Sequence, residues 1–263
     1  MSKSIIWKIN MLFKAISLLK NWYMYPAVYF HLTKKPKVIF ETKNGEKITI
    51  RTIENSTDIH IFTEIWLERL YSIPNFEISS NDQIIDVGAH IGIFSIFASQ
   101  LCKNGKVFSY EPAKPNFEIL QENISQNNIN NIIAENKAGS NLKGKMKFYF
   151  SDDDFAAHSL YDKGDNWDEV ETLSLKDIFD ENNIKKCDFL KMDCEGAEYD
   201  MLMNLPEEYF RKISKICLEY HTINDSEFDI KDLEKKLTDE KFNVTIEPMS
   251  EKIGFLYALN QTK

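Results

Sequence analysis

Cysteine is scarce and unpaired in this chain. Cys102, Cys187, Cys194 and Cys217 each stand alone in apolar surroundings, and no C-x-x-C spacing occurs. That excludes a disulfide framework and suits reduced, buried thiols in an intracellular protein, so a cytoplasmic placement is expected. The five histidines are equally scattered, and no metal site is expected. Long apolar runs are missing too. Lysines interrupt each one before the ~18–20 residues that a membrane span requires. No small-residue cleavage site follows an apolar core, so a secretory leader is not expected either. Internal repeats and low-complexity tracts are absent. Basic charge is outnumbered over most of the chain: the net charge is −9, yet residues 1–40 hold seven lysines and no acid, which leaves −16 for the remainder. Such a body lacks the basic face that a phosphate backbone requires, so no nucleic-acid partner is expected.

Glycine is also rare, with nine residues, which makes two of them informative. The stretch Gln83–Phe94 reads as a short apolar strand ending in Asp86-Val87, a loop with Gly88 and Gly92, and an apolar helix from Ile93. Strand, glycine turn and helix open a nucleotide-binding α/β unit, where backbone must approach a ligand closely. A dinucleotide fingerprint would carry a third glycine and no acid facing a pyrophosphate. Here the spacing is G-x-x-x-G, and Asp86 precedes it. Nineteen residues after Gly92, a second strand (Lys106–Tyr110) ends in Glu111, placed to accept hydrogen bonds from both ribose hydroxyls. A nucleoside with ribose, positive charge and no phosphate answers that description, and S-adenosylmethionine is such a ligand.

Three blocks carry a family resemblance: Asp-Val-Gly-Ala-His-Ile-Gly from Asp86, Tyr-Glu-Pro-Ala-Lys-Pro-Asn-Phe from Tyr110, and Leu-Lys-Met-Asp-Cys-Glu-Gly-Ala-Glu from Leu190. Together they resemble the signatures of FkbM-type S-adenosylmethionine-dependent methyltransferases, over roughly Asp58 to His221. His90 stands where that family often has Asn. The resemblance implies a Rossmann-like class I methyltransferase sheet, mostly parallel with the last strand antiparallel and helices on both faces. It implies a cofactor site from Asp86, Gly88, Ala89, His90, Gly92, Glu111, Pro112 and Asp193. From where such sites fall on this fold, Asn136 joins them through adenine, or is an ordinary solvated loop residue. It also implies O-methylation of a sugar, glycan, lipid-linked or other hydroxylated small molecule, and puts Asp58 and the stretch through Tyr71 over the pocket as a front wall. An N-P-P-Y tetrapeptide of the amino-methylating nucleic-acid enzymes is absent. An NAD-type oxidoreductase and a non-catalytic binding module on the same fold remain as alternatives.

The rest of the chain arranges itself around that unit as a basic extension, residues 1–75, and a methyltransferase domain, residues 76–263. On a helical wheel Ile5, Ile9, Leu12, Ile16 and Leu19 gather on one side. This basic amphipathic helix either packs on its own domain or lies on an anionic membrane surface, and the aromatic run Trp22–Phe30 admits the same two readings. Asn44-Gly45 between two apolar runs signals a hairpin. Strands are expected at 132–134, 188–192, 213–220, 242–246 and 254–259. Lys147–Phe150 forms a further edge strand or half a hairpin, and the irregular, aromatic-bearing stretch Ser151–Glu169 reads as a lid. Ser226 with Asp229 marks a helix start. The strand ending at Met192 delivers Asp193, Glu195 and Glu198, and helix-start stabilisation accounts for one of these acids. With His221 at the next strand tip, Asp193, Glu195 and His221 are the candidate bases for an acceptor hydroxyl.

Overall fold

The computed structural model describes residues 4–53, 56–149, 166–222 and 228–262. Helix α1 (Ile5–Leu18) starts at Ser4, whose hydroxyl accepts from the Trp7 amide, and α2 (Met24–Tyr29) follows. Strands β1 (Lys37–Glu41) and β2 (Lys47–Arg51) pair antiparallel as the expected hairpin, with Gly45 at φ +106° in the turn. Helix α3 (Asp58–Phe62) widens into a π-helical segment, Thr63–Glu68, which Arg69 ends in the left-handed region. Helix widening of this kind is frequent at functional sites.

The alternating part comprises β3 (Gln83–Val87), α4 (Ile93–Leu101), β4 (Lys106–Tyr110), α5 (Lys114–Gln126) and β5 (Ile132–Glu135). It continues through the short strands β6 (Ala138–Gly139), β7 (Gly144–Tyr149) and β8 (Trp167–Leu173) to α6 (Leu175–Glu181), β9 (Phe189–Met192), α7 (Ala197–Met203) and α8 (Glu207–Phe210). The chain closes with β10 (Lys215–His221), α9 (Ile230–Asp239), β11 (Phe242–Pro248) and β12 (Ile253–Asn260). Seven strands form one sheet in the order β11-β12-β10-β9-β3-β4-β5. All neighbours from β10 to β5 run parallel, and β12 is antiparallel to both β10 and β11, as the resemblance implied. The order reverses between β3 and β9, and ligands bind beyond the carboxyl ends of strands at such a point.

Both faces of the sheet are covered, as a parallel sheet requires. Ile84, Phe189 and Cys217 face one apolar layer, whereas Ile85, Leu190 and Leu218 face the other. The first layer is continuous with Met11, Ala15, Leu19, Phe40, Ile50 and Phe62, so residues 1–75 supply much of one side of the core.

Several expectations are corrected here. Helix α1 buries Met11 and Ala15, with Leu19 just beyond its end, while Ile5 and Ile9 stay exposed. The packed face is fixed by Trp7 Nε1 donating to Glu68 Oε1 at 2.5 Å and by Lys14 Nζ donating to the Leu67 carbonyl at 2.7 Å. β7 is an edge strand paired antiparallel with β8, as expected, but in a separate three-stranded sheet of order β6-β8-β7. Of the expected lid, residues 151–165 lie outside the described residues, and Trp167–Glu169 are strand β8. Helix α9 is capped by Asp229 with Asp232, and Ser226 lies outside the described residues. Cys102, Cys187 and Cys217 are buried thiols, and Cys194 is half-buried. Among the described residues no helix is long and apolar enough to cross a membrane.

Candidate active site

The loop after β3 is pressed onto the end of β9. Gly88 has φ +78°, and a Cβ there would lie 1.7 Å from the Asp193 carbonyl oxygen, so no other residue fits. The Gly88 and Ala89 amides both donate to the Tyr110 carbonyl at 3.0 Å, which fixes the loop against β4 as well. Gly92, at φ +84°, opens α4, and a Cβ would meet Leu120 of α5 at 2.3 Å. Its role is close helix packing.

At the end of β4, Glu111 is buried and accepts from the amides of His90 and Ala113, each at 2.8 Å. Burial pushes its carboxyl up to about 7, although these two bonds and Asn116 pull the other way. Glu111, Pro112, Asn116, Gly88 and His90 line one cavity, which reaches Asp193 and Glu195. A second cavity is lined by His60, Glu64, Tyr71, Lys191, Glu219 and His221, among others. The two share a wall made of Ile61, Gly88, His90, Asp193 and Glu195.

Not every residue singled out in the sequence reaches these cavities. Asp86 is fully buried and lines neither. Its carboxylate accepts from Ser95 Oγ at 2.5 Å and pairs with Lys191 Nζ at 3.1 Å. Gly92 lines neither cavity, and neither does Asn136, whose amide nitrogen donates to the Glu111 and Pro112 carbonyls at 2.8 Å each. Asn136 therefore braces the turn after β4. Ala89 faces the second cavity only.

At the end of β9, burial raises the Asp193 carboxyl, with Lys191 and His221 pulling it down. Glu195 sits at φ +53° and Gly196 at φ +103°. Positive φ strains Glu195 but not Gly196, and the Glu195 carboxylate lies 3.6 Å from His221 Nε2. Glu198 is fully buried, accepts from the Cys194 and Gly196 amides at 2.6 and 2.7 Å, and lies 3.7 Å from His221 Nδ1. It is the acid that holds the helix start. Burial disfavours a charged His221, but Glu198 above all, with Glu195 and Asp193, outweighs burial and holds the imidazole up at about 10. His221 is thus a cation at neutral pH. Burial, with the Asp193 charge adding to it, pushes Glu219 up to about 9.

Five carboxyls (Asp86, Asp193, Glu195, Glu198 and Glu219) face two cations, Lys191 and His221. Even with Glu219 protonated, the floor is acidic and suits a cationic ligand. Asp193, Glu195 and His221 each offer a ligand atom, and these atoms lie within 4.8 Å of one another. A divalent metal there would have to displace the His221 proton first.

Two cations escaped sequence reasoning. Lys191 is a charge inside the buried strand Phe189–Met192, and a charge in such a strand almost always has a partner; that was its signal. It also donates to the Gly88 carbonyl at 2.6 Å. Arg51, at the end of β2, holds Asp58 through Nη2 at 2.8 Å and Nε at 3.0 Å, donates to Asn116 Oδ1 at 2.8 Å, and meets His90 Nε2 at 2.9 Å. A guanidinium only donates, so His90 Nε2 is the acceptor and its proton is on Nδ1. Asp58, expected in the front wall, instead anchors Arg51 from behind it.

Comparison with known proteins places this geometry. The Methyltransferase FkbM domain family matches residues 86–245. The hexuronic acid methyltransferase AglP of Haloferax volcanii is 22% identical over 258 residues, covering 94% of this chain and 98% of that protein. The 31-O-demethyl-FK506 methyltransferase FkbM of Streptomyces tacrolimicus is 24% identical, over 67% of this chain and 82% of that protein. Among solved structures, Methyltransferase FkbM from Methylobacillus flagellatus KT superposes with a TM-score of 0.51 at 17% identity, covering 95% of this chain and 58% of that one, a likeness of fold. The oxidoreductase alternative gives way to this assignment: the chain belongs to the FkbM methyltransferase family.

Proposed function

We propose that the chain transfers a methyl group from S-adenosylmethionine to a hydroxyl oxygen of a sugar, glycan or similarly hydroxylated small molecule. The observation that carries this reading is the shared wall: one cavity ends at Glu111 and the other at Glu219 and His221, and they meet at Gly88, His90, Asp193 and Glu195. The names of two relatives, one acting on a hexuronic acid and one on a 31-O-demethyl compound, support an oxygen acceptor. The catalytic unit proposed is residues 76–263, with residues 1–75 closing the outer wall through His60, Ile61 and the π-helical segment.

The chain's residues fit the cofactor. Gly88, packed on the Asp193 carbonyl, brings backbone to the cavity wall, Glu111 ends β4 where it can accept from a ribose diol, and the acidic floor answers a sulfonium. When bound, S-adenosylmethionine supplies an electrophilic methyl group and a thioether that leaves without protonation. The acceptor enters the second cavity and places its oxygen at the shared wall. Asp193 or Glu195 would take the proton of that hydroxyl. His221, already protonated, cannot take the proton; it keeps the neighbouring carboxylates paired and in place. Positioning contributes most of the rate, ~7–11 kcal/mol when the approach is near-attack.

Calorimetry with S-adenosylhomocysteine and with NAD tests the reading. Binding of the first and not the second is expected. Tight NAD binding with no response to S-adenosylhomocysteine would remove it.

A further inference from the structure

Helix α1 carries a wider apolar arc than its own domain uses. Ile5, Ile6, Ile9 and Phe13 are 74%, 79%, 51% and 66% exposed. Ile5, Ile9 and Phe13 recur at every fourth residue, so they form one stripe along the helix. The stripe adjoins a groove between α1 and α2, walled by Ile9, Leu12, Pro26, Tyr29 and Phe30. Lys8 stands at this groove with its Nζ 5.6 Å from the centre of the Phe30 ring. Phe30 and Leu32, past α2, are exposed as well. A continuous apolar surface of this kind marks an interaction site.

Charge identifies what covers it. Residues 1–40 hold seven lysines and no acid, against −16 for the remainder, and Lys34 and Lys35 are exposed just after the groove. An anionic lipid surface satisfies both features: apolar side chains enter the boundary between headgroups and acyl chains, and lysines meet the phosphates. The same surface repels the acidic remainder, which leaves this face as the one that approaches.

The face also sits beside the second cavity. Tyr29, a groove wall, packs edge-on against His60 with ring centres 5.8 Å apart, and His60 lines that cavity. Trp7 and Lys14 tie α1 to the π-helical segment, whose Glu64 and Ile65 line it too. We infer that α1 and α2 dock on an anionic lipid bilayer and present the second cavity to an acceptor carried in that bilayer. The acceptor clause rests on the methyltransferase reading of the cavity; the docking does not.

The test is co-sedimentation of the full chain with vesicles of phosphatidylcholine alone and of phosphatidylcholine with phosphatidylserine, with S-adenosylhomocysteine calorimetry on each variant as a check of folding and of the cavity. Binding is expected to the anionic vesicles only, and it should fall as salt shortens the screening length from ~10 Å to ~3 Å. Ile6→Asp combined with Phe13→Asp, and separately Lys34→Gln with Lys35→Gln, should each weaken it about 10-fold or more while S-adenosylhomocysteine binding stays unchanged. No binding at low salt, or binding indifferent to both pairs of substitutions, would overturn the docking. So would a dimer that Phe13→Asp dissolves in a protein that ignores vesicles, because a second copy would then cover the face. A chain that binds S-adenosylhomocysteine but no vesicles loses the docking alone. A chain that binds vesicles but no S-adenosylhomocysteine keeps the docking and loses the acceptor clause.

Discussion

Lys191 and Asp86 form a buried ion pair, Nζ to Oδ1 3.1 Å, directly beneath the glycine loop. Burial disfavours the ammonium, but Asp86 and Asp193 outweigh it and hold Lys191 above the ordinary lysine range. Through its bond to the Gly88 carbonyl at 2.6 Å, the pair fixes the loop that both cavities share. The loop's geometry is therefore held by a cation and not by the glycines alone.

The first prediction follows from that pair. Lys191→Met leaves Asp86 buried without its counter-ion, a change that costs about 3–5 kcal/mol. Adding Asp86→Asn removes the orphaned charge and should recover a large part of the loss. Urea unfolding of the single and double variants measures both. Equal losses in the two would show that Asp86 does not depend on Lys191.

Glu111 gives a pH-dependent prediction. Its value in the folded chain, about 7, is raised above the ordinary 4.5 by burial. The stability tied to its neutral form is therefore fully present below about 4.5 and is lost as pH rises through about 7, by about 3 kcal/mol. In Glu111→Gln that part of the profile should vanish, so the stability difference between variant and parent should widen in the variant's favour from pH 5 to 8. A difference that stays flat would contradict the raised value. At pH 8, where Glu111 is ionised, the same substitution should weaken S-adenosylhomocysteine binding by about 1.5–3 kcal/mol, the worth of a hydrogen bond to a charged group.

The fold was largely legible in the sequence because parallel strands buried on both faces read as short apolar runs, and acids mark their carboxyl ends: Asp86, Glu111 and Asp193 do so in order. What the sequence could not show was which of these acids turn toward a ligand. Asp86 and Glu111 look alike in one dimension, yet one pairs with Lys191 behind the loop and the other faces a cavity. That distinction depends on a lysine 105 positions away. The Arg51–Asp58–His90 contacts were hidden for the same reason. The packed face of α1 was hidden because its apolar residues cover most of the helix, so periodicity had no single answer.

His221 supplies a third prediction. Held at about 10 against an ordinary 6.5, it contributes stability that is fully present below about 6.5 and is lost as pH rises through about 10. Its ring resonances should therefore show no titration between about pH 6 and 8. A midpoint near 6.5 would restore His221 as a free base. His221→Asn should lower stability at neutral pH, since it leaves Glu198 buried without its cation.

The last prediction concerns the proton of the acceptor. With His221 charged, the groups at the shared wall able to take it are the carboxylates of Asp193 and Glu195. Burial raises the proton affinity of Asp193, which makes it a stronger base than an ordinary carboxylate, so Asp193→Asn should show the larger effect. Asparagine there, or glutamine at Glu195, keeps the size of the side chain and removes its basicity. Asp193→Asn should retain S-adenosylhomocysteine affinity and lose turnover ~10²-fold or more, the behaviour of a group used mainly in the transition state. A loss confined to Glu195→Gln would move the base to the strained residue after Cys194. Normal turnover in both variants would mean that the acceptor arrives already nucleophilic and that the wall works by proximity alone, because Glu219 is protonated and His221 is a cation at the same pH, and His90 Nε2 already accepts from Arg51.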